Sequence, residues 1–111
     1  MKVAIVGSRS IRIDDLAPYI PKETTEIVSG GASGVDTCAK DYAISHKIKL
    51  TEFLPNYERY GKAAPIKRNS QIVNYADEVI AFWDGKSHGT KHVLDLCKKL
   101  GKEITVYRVN D

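Results

Sequence analysis

Ile27-Val28-Ser29-Gly30-Gly31-Ala32-Ser33-Gly34-Val35-Asp36 holds three different signals within ten residues. The run from Glu26 to Ser29 reads as a buried strand. Three glycines follow, and the apolar residues then change spacing: Val35, Cys38, Ala39, Tyr42 and Ala43 fall at i, i+3, i+4, i+7 and i+8, the stripe of an amphipathic helix. A strand, a glycine turn and a helix start in this order gather backbone N–H groups around a point. Glycines let an anion approach the backbone, and the helix dipole adds roughly half a positive charge there. The segment therefore implies a phosphate site within an alternating α/β chain.

The same alternation runs outward in both directions. Lys2 to Val6 is a β-branched run ending at Gly7. A short helix capped by Asp14 is expected next, with Leu16, Ala17 and Ile20 inside it and Pro21 as its stop. Beyond the helix from Ser33 to His46, Ile48 to Leu54 alternates as a third strand. A polar, aromatic loop with Tyr57, Tyr60 and Gly61 leads to Pro65, which suits a first helical position. That helix reaches Tyr75, with Ile66, Val73 and Ala76 as its apolar face. Glu78 to Phe82 is the fourth strand, Gly89 to Leu100 the last helix, closed by Gly101, and Glu103 to Val109 the fifth strand. Short connections between strands and helices predict a three-layer α/β domain over residues 1–111: a five-stranded parallel sheet, Rossmann-like, with helices on both faces. The expected strand order is 3-2-1-4-5, with a flavodoxin-like 2-1-3-4-5 as the alternative.

Composition narrows the class. At 111 residues, with 42% hydrophobic and 28% charged residues, the chain is of ordinary globular make-up. No apolar run approaches the ~20 residues of a membrane helix, and no signal-peptide core is evident, so a cytoplasmic protein without membrane partners is expected. The net charge of +3 is mild and dispersed. Nonspecific nucleic-acid binding asks for a stronger basic stripe, so nucleic acid is not the first partner expected. Cys38 and Cys97 both lie on apolar stripes and read as buried small hydrophobes. His46, His88 and His92 are not grouped with carboxylates, so neither a metal nor a cofactor is expected.

In an open parallel sheet of order 3-2-1-4-5, ligands bind outside the carboxyl ends of the strands where the order reverses. Three segments meet there, all rich in glycine, hydroxyls and charge: Gly7-Ser8-Arg9-Ser10, the glycine cluster, and Trp83 to Thr90. Gly7 permits a tight turn, Ser8 can donate to a phosphate and Arg9 can grip one bidentately. Gly30, Gly31, Ala32, Ser33 and Gly34 form the anion loop, with Gly34 also read as a close helix–sheet contact. Asp36 reads as a cap and first-turn partner of the helix dipole, or as a partner for a ribose hydroxyl. Arg68 and Asn69, near a helix start, can reach the crevice, while Lys67 points to solvent. Ser87, Gly89 and Thr90 offer a second helix start, with Thr90 as its N-cap or as an anion ligand. Trp83 is read as a base-stacking surface or as packing at the sheet edge. Neither GxGxxG nor GxxxxGK[ST] occurs, which argues against an ordinary NAD dehydrogenase or a P-loop nucleotidase.

Taken in order, GSR at 7–9, SGGASGVD at 29–36, KRN at 67–69 and HGT at 88–90 resemble the SLOG superfamily, with the closest likeness to its small YspA-like branch of Rossmann-fold proteins. SGGASGVD also resembles the matching segment of the DprA family of DNA-processing proteins, and HGT the glycine–threonine pair of the LOG phosphoribohydrolases. The resemblance implies binding of nucleotides or nucleotide-derived ligands, ADP-ribose-like molecules among them. Gly7, Ser8, Arg9, Gly30, Gly31, Gly34, Asp36, Arg68, Asn69, Gly89 and Thr90 match the superfamily's motif positions. Two positions depart from it. The LOG branch carries a glutamate shortly after its glycine–threonine pair, where this chain has Lys91, His92 and Val93. Ala63-Ala64-Pro65 also stands where a glycine before the proline is the rule.

The leading expectation is therefore binding or sensing of a nucleotide-type small molecule (AMP, ADP-ribose or NAD-like). One alternative is an N-glycosidase acting on such a ligand, with Asp36 and Asp84 as its candidate carboxylates. Another is single-stranded nucleic-acid binding in the DprA manner. Proteins of this architecture often associate through helices, so a homo-oligomer is a further expectation.

Overall fold

Five strands pair entirely in parallel: β1 (Lys2–Gly7), β2 (Glu26–Ser29), β3 (Lys49–Glu52), β4 (Glu78–Trp83) and β5 (Ile104–Arg108). Their order is β3-β2-β1-β4-β5 in a computed structural model that describes residues 1–109. The first of the two expected orders is thus the observed one. The helices are α1 (Val35–Ser45), α2 (Tyr57–Tyr60), α3 (Ala64–Tyr75) and α4 (His88–Leu100).

Side chains along a strand alternate between faces, and the central strands carry apolar residues at every position. Val3, Ile5, Ile27, Ile80 and Phe82 point one way and pack with Val35, Cys38, Ala39 and Ala43 of α1. Ala4, Val6, Val28, Val79 and Ala81 point the other way, against Ile72 and Val73 of α3 and Val93 and Cys97 of α4. Each large side chain buried in this way stabilises the fold by about 1.5–3 kcal/mol. The result is a Rossmann-like α/β sandwich of three layers. Cys38 and Cys97 lie in opposite layers and are free and buried, as read from their stripes. Burial pushes the Cys97 thiol up.

Four local expectations need correction. Asp14 caps nothing. The segment forms one 3-10 turn, Ala17–Tyr19, set by Asp15, whose Oδ1 accepts from Ala17 N at 3.0 Å. Tyr19 then packs edge-on against Phe82, with ring centroids 5.1 Å apart, so the segment is held by an aromatic contact and not by helix length. The loop at Tyr57 contains a helical turn because Asn56 Oδ1 accepts from Arg59 N at 3.1 Å. Ile66 is 53% exposed, although it sits seven residues before the buried Val73; in the first turn it is Ala64 that is buried, and Ile72, Val73 and Ala76 continue the apolar face. Thr90 is not a cap either: α4 starts at His88, and Ser87 is the N-cap residue, its Oγ accepting from Thr90 N at 3.5 Å. At the other end, Gly101 takes the left-handed conformation (φ 68°) expected of a helix-ending glycine.

Candidate functional site

At the carboxyl edge, β1 is flanked by β2 and β4, whose loops lead to helices in opposite layers. A cavity of about 390 Å³ opens there, bounded by the loop after β1, the glycine loop after β2, the first turns of α3 and the start of α4. Of the residues expected at the site, the cavity gathers Gly7, Ser8, Arg9, Gly30, Ala32, Asp36, Arg68, Asn69, Ser87, Gly89 and Thr90, along with Asp84. Gly31 and Ser33 line a neighbouring hollow instead.

Glycine is required at two of these places by close approach. Gly34 has φ 71° and ψ −124°, and a Cβ there would lie 2.6 Å from the carbonyl oxygen of Ser8. The close contact expected between helix and sheet at Gly34 is thus a contact between two loops. The helix–sheet approach is made at Gly7, where a Cβ would run into Val35. Through these contacts the first two loops brace one another, and Ser8 O accepts from Ile11 N and Val35 N.

Arg68 is the centre of the polar framework. Its Nη1 donates to Gly30 O at 2.7 Å and its Nε to Asn69 Oδ1 at 3.0 Å. A guanidinium has five N–H donors, so three have no protein partner among the described residues. Since Asn69 Oδ1 accepts from Arg68, its amide NH2 faces His92 Nδ1 at 3.1 Å. His92 Nδ1 must then be the acceptor, which places the ring proton on Nε2. The sequence reading missed His92 in this role, because a residue 23 positions from Asn69 gives no local signal. Arg9 is exposed, and its side chain forms no hydrogen bond or ion pair among the described residues.

The two carboxylates of the cavity differ. Asp84 Oδ1 accepts from the backbone N–H groups of Lys86 and Ser87, both at 2.8 Å. These bonds hold its carboxyl below the usual aspartate range and shape the loop that leads into α4. Asp36 is not the cap of α1, which starts after Gly34; it is 7% exposed and accepts from Ala32 N of the glycine loop at 3.1 Å. Burial raises its pKa, partly opposed by the Ala32 bond and by the charges of Arg68 and Arg9. A carboxyl group whose folded pKa is raised lowers stability once the pH exceeds that value. Asp36→Asn is therefore expected to have a Tm at or above the parent's at pH 7. The gap should close as the pH falls through the carboxylate range, and thermal unfolding between about pH 3 and pH 7 checks it.

Trp83 stands apart from the cavity. Its Nε1 donates to Ser87 O at 3.1 Å, and its strand lies inside the sheet, between β1 and β5. It braces the Asp84–Ser87 loop.

Residues 1–56 match the model of a protein family described as DNA recombination-mediator protein A. The chain belongs to this family. The match covers β1 to β3 with the first two loops of the cleft, so the family's own pattern includes the Gly7–Arg9 turn and the glycine loop of Gly30 to Gly34. Arg68, Asn69 and the start of α4 lie outside the matched residues. No curated protein and no solved structure matches the chain.

Proposed function

We propose that the cleft binds a nucleotide or nucleotide-derived phosphate ester, of the AMP, ADP-ribose or NAD type. The observation that carries this reading is Arg68: a half-buried guanidinium, fixed by Gly30 and Asn69, in the wall of a cavity that also holds Arg9 and the start of α4, with three donors unused among the described residues. Charge-assisted bonds from a prepositioned guanidinium are the strong way to hold a phosphate. Gly89 adds to the argument. It lines the cavity, and a Cβ on it would meet nothing within 4 Å, so the protein's own packing does not require glycine there. A ligand approaching the backbone of the first helical turn would require it.

Gly89→Ala is accordingly expected to leave Tm unchanged or slightly raised and to weaken ligand binding about tenfold. Paired thermal unfolding and calorimetric titration check both halves.

A thermal-shift panel of AMP, ADP-ribose, NAD and a short single-stranded oligonucleotide, each mixture then chromatographed, tests the function. Ligand at 100 times its Kd adds about 2.7 kcal/mol, or roughly 10 °C in a domain of this size. A shift with intact ligand supports a binding module; no shift with any compound contradicts it.

Two further readings have observations of their own. The family match favours single-strand binding at the same cleft. An N-glycosidase needs carboxylates at its site, and Asp36 and Asp84 both line the cavity, one buried and the other held by two backbone N–H groups. Released base in the chromatogram would mark the enzyme. The ordered GSR, SGGASGVD, KRN and HGT motifs are the basis on which we read the chain as YspA-like within the wider SLOG superfamily.

A further inference from the structure

Asn69 is buried, and the partners it meets fix which way its amide lies. Arg68 Nε can only donate, so the amide oxygen faces it, at 3.0 Å. The NH2 group then faces His92 Nδ1 at 3.1 Å. Turned over, the amide would set its NH2 against the N–H of Arg68. Hydrogen bonding therefore runs from His92 through Asn69 to Arg68, whose Nη1 reaches Gly30 O at 2.7 Å. Asn69 and Arg68 line the cavity, whereas His92 stands behind them and is not part of its wall.

Few charges surround His92. On α4 the exposed His88 lies four positions before it, and Asp95, three positions after it, is paired with Lys91 at 3.2 Å. From α3 the charged group joined to it is Arg68, through Asn69. The strands packed beneath α4 present Ala4, Val6, Val79 and Ala81, none of which titrates.

We propose that His92 is a positioning residue for the anion site: its neutral Nε2–H form holds Asn69, and through it Arg68, in the binding geometry, so that protonating His92 weakens the site. This rests on the reading of Arg68 as the phosphate holder and adds what sets its direction. A proton on Nδ1 removes the acceptor and puts an N–H against the amide NH2. Asn69 then loses that bond, or turns its oxygen to His92 and releases Arg68 Nε. Held by Gly30 alone, the guanidinium loses its fixed direction. The charge that His92 gains acts the other way, in favour of an anion. It acts across an amide and two hydrogen bonds, and at 0.15 M salt the Debye length of about 8 Å screens part of it, so the loss of direction prevails.

Two measurements between pH 5 and 8 test this. In the free protein, long-range 1H–15N correlation of the His92 ring is expected to show the Nε2–H tautomer at the upper pH, and the Arg68 Nε–H signal to shift with the same midpoint as His92. A ring found as Nδ1–H, or an Arg68 signal indifferent to His92, overturns the relay without reference to any ligand. In calorimetric titration at 0.15 M salt with NAD, whose pyrophosphate keeps its charge over this range, affinity is expected to fall at least about threefold as His92 protonates. His92→Gln, which offers an acceptor that takes no proton, is expected to lose that fall. Any smaller pH dependence left in it belongs to Asp36 and His88. An affinity that rises as His92 protonates, or a fall of the same size in His92→Gln, overturns the proposal. NAD that binds at no pH contradicts the reading of the cleft and takes the binding half of this proposal with it, while the spectra still decide the relay.

Discussion

Exchanging Arg68 for methionine is expected to weaken AMP binding by about two orders of magnitude. Hydrogen bonds to a charged group contribute roughly 1.5–3 kcal/mol each, and two such bonds to one phosphate amount to about 3 kcal/mol. The stem of methionine keeps the packing but donates nothing. Gly30 O and Asn69 Oδ1 also lose their donor, so the variant should be less stable by about 1–3 kcal/mol. Titration well below its Tm separates the two effects. Arg68→Lys is not expected to restore binding. An ammonium carries its three donors on one atom, without the planar fork that lets separate nitrogens meet Gly30 O, Asn69 Oδ1 and a phosphate at once. An affinity unchanged in Arg68→Met would remove the guanidinium from the site.

The second large effect falls on stability. Gly34→Ala should destabilise the fold by roughly 2–4 kcal/mol, from two sources acting together: a φ of 71° that an alanine adopts only under strain, and a methyl driven into the backbone of Ser8 and Arg9. In a domain of this size that lowers Tm by about 10 °C or more. Gly89→Ala is the contrast, because its Cβ would stand in open space. Thermal unfolding of the two variants side by side shows whether each glycine serves the chain's own packing or the approach of a ligand.

Much of this architecture is legible in the sequence, because the signals that set it are local. The runs at Val3–Val6, Ile27–Val28 and Val79–Phe82 are apolar on both faces, which only a sheet covered on both sides accommodates. Gly7, Gly34 and Gly101 each mark a place where a side chain would collide or the backbone turns left-handed. Two of the errors are also local, and they share a cause. Several polar residues near each chain turn can accept the first helical N–H, and sequence does not say which. Asp15 acts where Asp14 is expected, and Ser87 where Thr90 is.

The interior of the site was less legible. The Arg68–Gly30 bond joins residues 38 apart, and the Asn69–His92 bond residues 23 apart. Each depends on how α3 and α4 lie across the sheet, which no spacing rule reports. Arg68 and Asn69 were marked by their place near a helix start, and His92 had no such mark. Lys67 is solvent-facing, as read, yet its position over Tyr60 appears only once α2 brings that ring back beside α3. The raised pKa of Asp36 likewise follows from burial behind the glycine loop, and burial at that depth is a property of the assembled fold.

The most direct test of the central claim is an NMR titration of the uniformly 15N-labelled protein with AMP, followed through backbone amide shifts. The account predicts that the largest changes fall on Ser8, Arg9, Gly30, Ala32, Gly89 and Thr90, the amides around the cavity, and that they vanish in Arg68→Met. Absence of shifts at saturating AMP, or shifts centred elsewhere, such as the hollow bounded by Asp14, Asp41 and His46, would contradict it.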